Sequence, residues 1–295
     1  MRGTVLLLGL AVFSGALSAA ETWQPLWNGK NLAGWGTYLI KPHPSTDLPG
    51  AARAADGNYL EPIGLNRDPL HVFSVVEVEG RPSIRISGQV FGELRSSRSF
   101  ENFHLRLQFK WGVKKWPPRD KAGTPRDSGV LYYVHCPSGV EGRTWSRSIE
   151  LQIQEHDVGD LYAVLSQVSV RSTLRPGGGE KPVYDYNPAG EWKVFSQIPG
   201  WVGRCVKQPD NEKPTGEWNT VEIVALGEDT LHIVNGKVVM RLHGPRRIDG
   251  PKPVPVTSGP IILQSEGAEI FYRDLEVRSI DAIPAEYAEP KNVRN

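Results

Sequence analysis

The chain has 295 residues, with 34 Lys and Arg set against 33 Asp and Glu, for a formal net charge of +1. That balance leaves no basic footprint and argues against a nucleic-acid partner. Its two cysteines, Cys136 and Cys205, lie in no CxxC or Cys/His cluster, which argues against a structural zinc site. They are compatible with one disulfide in an oxidising compartment or with a pair of buried thiols. Nine Trp, 31 Gly and 24 Pro suit strands and elaborate loops better than helices.

In chain order, residues 1–20 read as a cleavable secretory signal. Met1-Arg2 supplies the positive start, Val5 to Val12 an apolar run too short to span a membrane, and Ser18-Ala19-Ala20 a small-residue cleavage site. A secreted or periplasmic location follows as an expectation, with no transmembrane segment after cleavage. The mature chain fits one domain over 22–280, followed by a C-terminal tail, 281–295. Trp23 to Trp35 reads as a strand, an Asn-Gly turn and a second aromatic anchor, and 41–70 as a long surface loop. Strands are predicted at Val72–Val78, Ser83–Ser87, Gly92–Ser96, Phe103–Trp111, Val130–His135 and Ile149–Glu155, with a Pro/Lys/Arg loop between Lys114 and Arg126. A short turn or helix is predicted near Gly159–Leu165, and 173–217 reads as a long insertion. Strands resume at Trp218–Leu226, Thr230–Val234, Lys237–Leu242, Gly259–Ser265 and Glu269–Val277, with Asn235-Gly236 as a hairpin turn. About a dozen short strands with turns between them imply an all-β sandwich of two antiparallel sheets.

The chemistry concentrates in Arg147-Ser-Ile-Glu-Leu-Gln-Ile-Gln-Glu-His-Asp157. Strand alternation puts Glu150, Gln152 and Gln154 on one face and Ile149, Leu151 and Ile153 on the other. A solvated sheet face is the ordinary explanation of such a pattern. Arg95, Gln264 and Glu266 on other strands continue it, and that mixture suits bidentate hydrogen bonding to vicinal hydroxyls. Glu155 falls five residues after Glu150, so only a β-bulge or strand end there would unite the two carboxylates. Asp127 would add a third acid where a loop enters the sheet, and Arg126 could hold a substrate oxygen. His135 and His156 lie beside this face and titrate in the range useful for proton abstraction. Tyr132, Tyr133 and Trp145 could stack on a pyranose ring. The residues name no certain cofactor; a divalent cation such as calcium could join Asp157 and Asp160. Ser128 lacks the context of a nucleophile elbow.

Six segments occur in an order that resembles a known family: Trp27-Asn-Gly-Lys-Asn-Leu-Ala-Gly-Trp35, Arg126-Asp-Ser-Gly-Val-Leu-Tyr132, Ser148 to Glu155 with Gly159-Asp160, Gly216-Glu-Trp-Asn-Thr220, Asn235-Gly-Lys237 and Ser258-Gly through Gln264-Ser-Glu-Gly267. Together they look like the 3-keto-disaccharide hydrolase domain, and the likeness spans about 22–280. The resemblance implies a concanavalin-like jelly roll akin to the family-16 glycoside hydrolases. In those glucanases two glutamates flank a central aspartate, and here Glu150 and Glu155 match while Gln152 takes the central place. A retaining mechanism wants two carboxyls about 5–5.5 Å apart, whereas a 3-keto-glycoside needs only a base, an enolate stabiliser and an acid. The resemblance therefore implies C2 proton abstraction, elimination and hydration. Glu150 or His156 is then the base, Arg95, Gln152 or a divalent cation steadies the C3 oxygen, and Glu155 or Asp127 protonates the leaving group. Arg126, Tyr132, His135, Trp145, Gln264 and Glu266 would contact the carbohydrate substrate. The rival readings are a non-catalytic, lectin-like module and a conventional endo-glucanase.

Overall fold

The computed structural model describes residues 22–177, 181–248 and 250–289. The signal sequence expected at 1–20 lies outside them. Two antiparallel sheets face each other and form the expected concanavalin-like jelly roll. The larger sheet runs Tyr184–Tyr186, Ser166–Leu174, Lys237–Arg247, Asp229–Val234, Asn219–Leu226, Phe103–Lys115, Ala268–Ser279, Arg81–Ile86 and Phe73–Val78, with three short strands paired at its margins. The smaller runs Arg204–Cys205, Leu161–Val164, Ser148–Gln154, Asp127–Tyr132, Ser258–Ser265, Gly92–Glu101, Trp35–Leu39 and Gly64–Leu65. Hairpins such as Asn219–Leu226 with Asp229–Val234 alternate with neighbours from distant parts of the sequence, such as Phe103–Lys115 beside Ala268–Ser279 and Asp127–Tyr132 beside Ser258–Ser265.

Alternation dictates what lies between the layers. Leu105, Leu107 and Phe109 of the larger sheet meet Val130, Leu151, Ile153 and Leu263 of the smaller in one buried core, because successive side chains along a strand take opposite faces. Asn235 (φ 48°) and Gly236 (φ 78°) make the hairpin turn expected of that dipeptide. The Gly159–Leu165 segment is the strand Leu161–Val164 rather than a helix, pairing with Ser148–Gln154 on one side and Arg204–Cys205 on the other. The 173–217 insertion is thus built into both sheets. Cys136 and Cys205 are both buried free thiols. Beyond the last strand, Ile280, Ile283 and Tyr287 cover Val224, Leu231 and Ile233 on the back of the larger sheet. Among the described residues no helix is long and apolar enough to cross a membrane.

Candidate active site

The register of the smaller sheet assembles the polar face predicted from one strand. Glu150 lies opposite Tyr162 and Leu131, Leu131 opposite Ile262, and Ile262 opposite Arg95; Arg204 lies opposite Tyr162. Directly opposed residues share a face, so one row reads Arg204, Tyr162, Glu150, Leu131, Ile262, Arg95. Gln152 lies opposite Gly129 in the next row and Gln154 opposite Asp127 in the one beyond. This is the outer face of the sheet, yet Asp127, Glu150, Gln152 and Gln264 are all buried.

Gly129 explains how the central groups converge. A Cβ there would overlap both Glu150 Oε1 and Gln264 Oε1, so only glycine lets the carboxyl and the carboxamide close over the strand. One row on, Asp127 accepts a 2.7 Å hydrogen bond from Gln154 Nε2. The Arg119 guanidinium pairs with Asp127 and with Glu266, the latter at 2.7 Å. Gly267 (φ +80°) makes room for Arg119, whose Cγ would sit 3.1 Å from a side chain at that position.

Asp127 and Glu266 therefore share one guanidinium, with the carboxyl of Glu150 buried beside them. Burial, then repulsion from Glu266 and Asp127, pushes the Glu150 carboxyl well above the usual carboxylate range, against the opposing Gln264 hydrogen bond. Burial and then Glu266 push Asp127 up, with Arg119 and Gln154 opposing. Burial likewise raises Glu266 against Arg119. Asp127 Oδ1, Gln152 Oε1 and Gln264 Oε1 are buried acceptors with no protein donor. Such atoms suit a ligand rich in hydroxyl donors.

Leu131 and Ile262 make an apolar floor against which Trp145 packs, with Phe91 stacked on Trp145 at 6.1 Å between ring centroids. Glu93 anchors that segment, accepting hydrogen bonds from Ser146 N at 2.5 Å and Ser146 Oγ at 2.9 Å. At the opposite end of the row, fully buried Asp160 accepts from Arg204 Nε at 2.6 Å and from Lys207 N at 2.9 Å. Burial pushes Asp160 up to about 6 even so.

The pairing of Glu150 with Glu155 does not form. No bulge interrupts the register between Asp127–Tyr132 and Ser148–Gln154. The strand ends at Gln154, and a turn closed by Asp157 N to Gln154 O (2.8 Å) follows. Glu155 instead accepts from Arg126 N and Nη1, both at 2.7 Å, and from Thr215 Oγ1 at 2.8 Å. Burial draws its pKa upward, but these three donors prevail and hold it below the usual range. Arg126 is occupied in turn, also donating to Gly112 O at 3.0 Å, so it joins the strand-end clamp rather than the polar face. His156 is exposed in the turn at φ +74°, beyond a strand end that lies about 13 Å from Glu150 at the usual rise per residue. Tyr132 faces the core, its hydroxyl 2.9 Å from His232 Nε2, and is fully buried. It cannot stack on a sugar. His135 is half-buried and turned on its own segment, with Nδ1 3.0 Å from Tyr133 O.

The face thus gathers Glu150, Asp127, Gln152, Gln264, Glu266, Arg95 and Trp145 and leaves out Glu155, Arg126, His156 and Tyr132. Glu93, on the same strand as Arg95, joins it too, and so do Arg119, Tyr162 and Arg204, to which sequence reasoning assigned no role there. Nothing local marks Arg119 within its loop; its partner Glu266 is 147 residues away. Arg204 ties down Asp157 at 2.7 Å as well as Asp160, so a guanidinium occupies the two acids that could have joined a divalent cation. Among the described residues no group of three or more His, Cys, Asp or Glu is arranged to hold a metal ion.

With this geometry in place, comparison with known proteins decides the affiliation. The sequence matches the 3-keto-alpha-glucoside-1,2-lyase-like domain over residues 22–278. The chain belongs to that family. It is a carbohydrate-active, glycoside hydrolase or lyase type of domain, and no curated protein matches it. Similar solved structures include a candidate glycosyl hydrolase from Parabacteroides distasonis, 21% identical, covering 88% of this chain and 100% of its own, with a TM-score of 0.46. The β-glucanase of Bacillus licheniformis is 10% identical, covering 89% and 99%, at 0.38. The carbohydrate-binding module CBM66 of Bacillus subtilis is 9% identical, covering 70% and 92%, at 0.40.

Proposed function

We propose that the protein is an exported enzyme that cleaves 3-keto-glycosides by elimination and hydration. One observation carries the reading: Glu150, Asp127 and Glu266 crowd a buried face on which Arg119 pairs with only Asp127 and Glu266, so all three carboxyls are pushed towards the protonated form. Carboxyls whose environments force them to share protons supply an acid and a base together. Asp127, in the ionised form that Arg119 and Gln154 favour against burial, takes the C2 proton of the substrate. The electron pair passes to the C3 oxygen, which the Gln152 carboxamide steadies. As the ketone re-forms, the C1–O bond breaks and protonated Glu150 gives its proton to the leaving oxygen. Water then adds at C1 of the unsaturated ketone and a proton returns to C2, so the products are a free 3-keto sugar and an alcohol.

Glu150 is the acid rather than the base here, because its burial favours the neutral form and its row leads towards Tyr162. The separation of Glu150 from Glu155 supports elimination over double displacement between those two glutamates. The affiliation supports a keto-sugar substrate, and the segment 1–20 supports export. Incubation with lactose, laminarin and a 3-keto-disaccharide in deuterated water tests the reading. Cleavage of the keto-sugar alone, with deuterium at C2 of the product, is the expected result. Cleavage of laminarin would establish a glucanase, and saturable binding without turnover a lectin-like module; either overturns it.

A further inference from the structure

The row that carries Glu150 does not end at the sheet. Tyr162 and Arg204 also line a cleft of about 860 Å³, walled by Pro182, Ile198, Trp201 and Val202. That volume suits a drug-sized organic ligand. Its wall is pinned to the sheet by backbone bonds on both sides of one residue, Gln197 N to Ala163 O at 2.9 Å and Ala163 N to Gly203 O at 3.1 Å. Ser196 N to Val202 O at 2.8 Å and Trp201 N to Ile198 O at 3.1 Å close the loop on itself. The cleft is therefore preformed, and Trp201 stands in it half exposed. The contrast with the Glu150 face is chemical. There, acids and amides offer acceptors to hydroxyls; here, proline, isoleucine, valine and tryptophan side chains make most of the surface, with Tyr162, Lys181, Gln197 and Arg204 as its polar lining.

We propose that this cleft is the leaving-group subsite and that it accepts an aromatic, phenol-type aglycone rather than a second sugar. The inference rests on the reading of Glu150 as the acid at the glycosidic oxygen. Tyr162 is its cross-strand neighbour, about 5 Å away between Cβ atoms. A leaving oxygen protonated at Glu150 thus lies at the mouth of the cleft, and the ring attached to it falls against Trp201. Aromatic rings stack on indole in offset or edge-on arrangements with a gain beyond simple burial. A second sugar would set most of its hydroxyls against Pro182, Ile198, Trp201 and Val202 rather than against the four polar side chains, which is unfavourable.

Two measurements on the full-length protein test this. The first needs no turnover: titration with 4-nitrophenol, followed by tryptophan fluorescence, for the wild type and for Trp201→Ala. Saturable binding that weakens at least tenfold in the variant is expected, and unchanged binding overturns the proposal. The second compares the 3-keto derivatives of 4-nitrophenyl glucoside and of a disaccharide. Trp201→Ala should raise KM at least tenfold for the aryl substrate and less than twofold for the disaccharide. Trp201→Phe should restore most of the loss. Equal effects on both substrates would overturn the proposal. Failure of both keto-sugars to react would refute the functional reading instead, leaving the phenol titration to decide the subsite.

Discussion

The outer faces of the two sheets use the same residue types and put them to opposite ends. On the larger sheet, Arg106 bonds Glu276 at 2.7 Å, Arg273 bonds Gln108 at 2.8 Å and Lys110 bonds Glu79 at 2.6 Å. Arg106 and Arg273 also lie over the rings of Trp23 and Trp218, at 4.0 and 3.6 Å. Arg106 and Glu276 remain substantially in water, where each such pair contributes little. On the smaller sheet the acids are buried, outnumber the arginines that reach them, and stand among acceptors without donors. A polar strand face is an ordinary solvated surface when its charges pair off. It becomes a candidate site when they do not.

The sharpest way to break that comparison is to remove one acid from each face. Asp127→Asn should lower kcat/KM on a 3-keto-glycoside by about 10²–10⁴-fold, the usual contribution of a positioned base. Glu276→Gln should leave it unchanged. Equal losses at both positions, measured on folded protein, would erase the distinction between the faces. Gly129→Ala comes next. The added methyl would overlap the Glu150 and Gln264 oxygens, so it should cost about 1–3 kcal/mol by overpacking and displace the acid. Denaturant unfolding and kcat should therefore both suffer.

Period-two alternation made the layers and the Glu150 face legible, because a buried strand face is strongly patterned. Register was not legible. Whether Leu131 or Tyr132 stands opposite Glu150 decides which of them faces the cleft, and a shift of one residue reverses the answer; the pairing with Leu131 sends Tyr132 into the core. Glu155 was misplaced for a related reason. Its position is set by where the strand stops, and its partners are Arg126 and Thr215, 29 and 60 residues distant. Arg119 and Tyr162 became visible only once loops and insertion were folded onto the sheet. Trp145 was legible as an aromatic beside the face but not as one held there by Glu93.

Glu155 and Glu150, five residues apart, should respond to pH in opposite senses. The folded-state pKa of Glu155 is depressed, so its contribution to stability is present above the unfolded value of about 4.3. That contribution is lost as pH falls through the lower folded value. Glu155→Gln should therefore cost about 1–2 kcal/mol near neutrality, as loss of a charged hydrogen-bonded group does. The deficit should shrink in acid, and kcat should change little. Thermal unfolding between pH 3 and 7 measures the first expectation. A variant with intact stability and lost chemistry would return Glu155 to the site.

The smallest effect has the most diagnostic sign. Glu150 is raised in the folded state, so the native protein holds a proton there to higher pH than the unfolded chain does. Stability from that group is complete below the unfolded value and is lost as pH rises towards the folded one. Glu150→Gln removes the titration while keeping the shape, so the variant should be more stable than the wild type at pH 7 and indistinguishable from it in acid. Each kcal/mol of relief should raise Tm by about 2–4 °C in a domain of this size. Glu276→Gln, on the solvated face, should give no such gain. Stabilisation accompanied by lost activity marks a site held under electrostatic stress for function. A destabilised Glu150→Gln would instead mean that the acid is ionised and paired, and the proton it is assigned to deliver would have to come from another group.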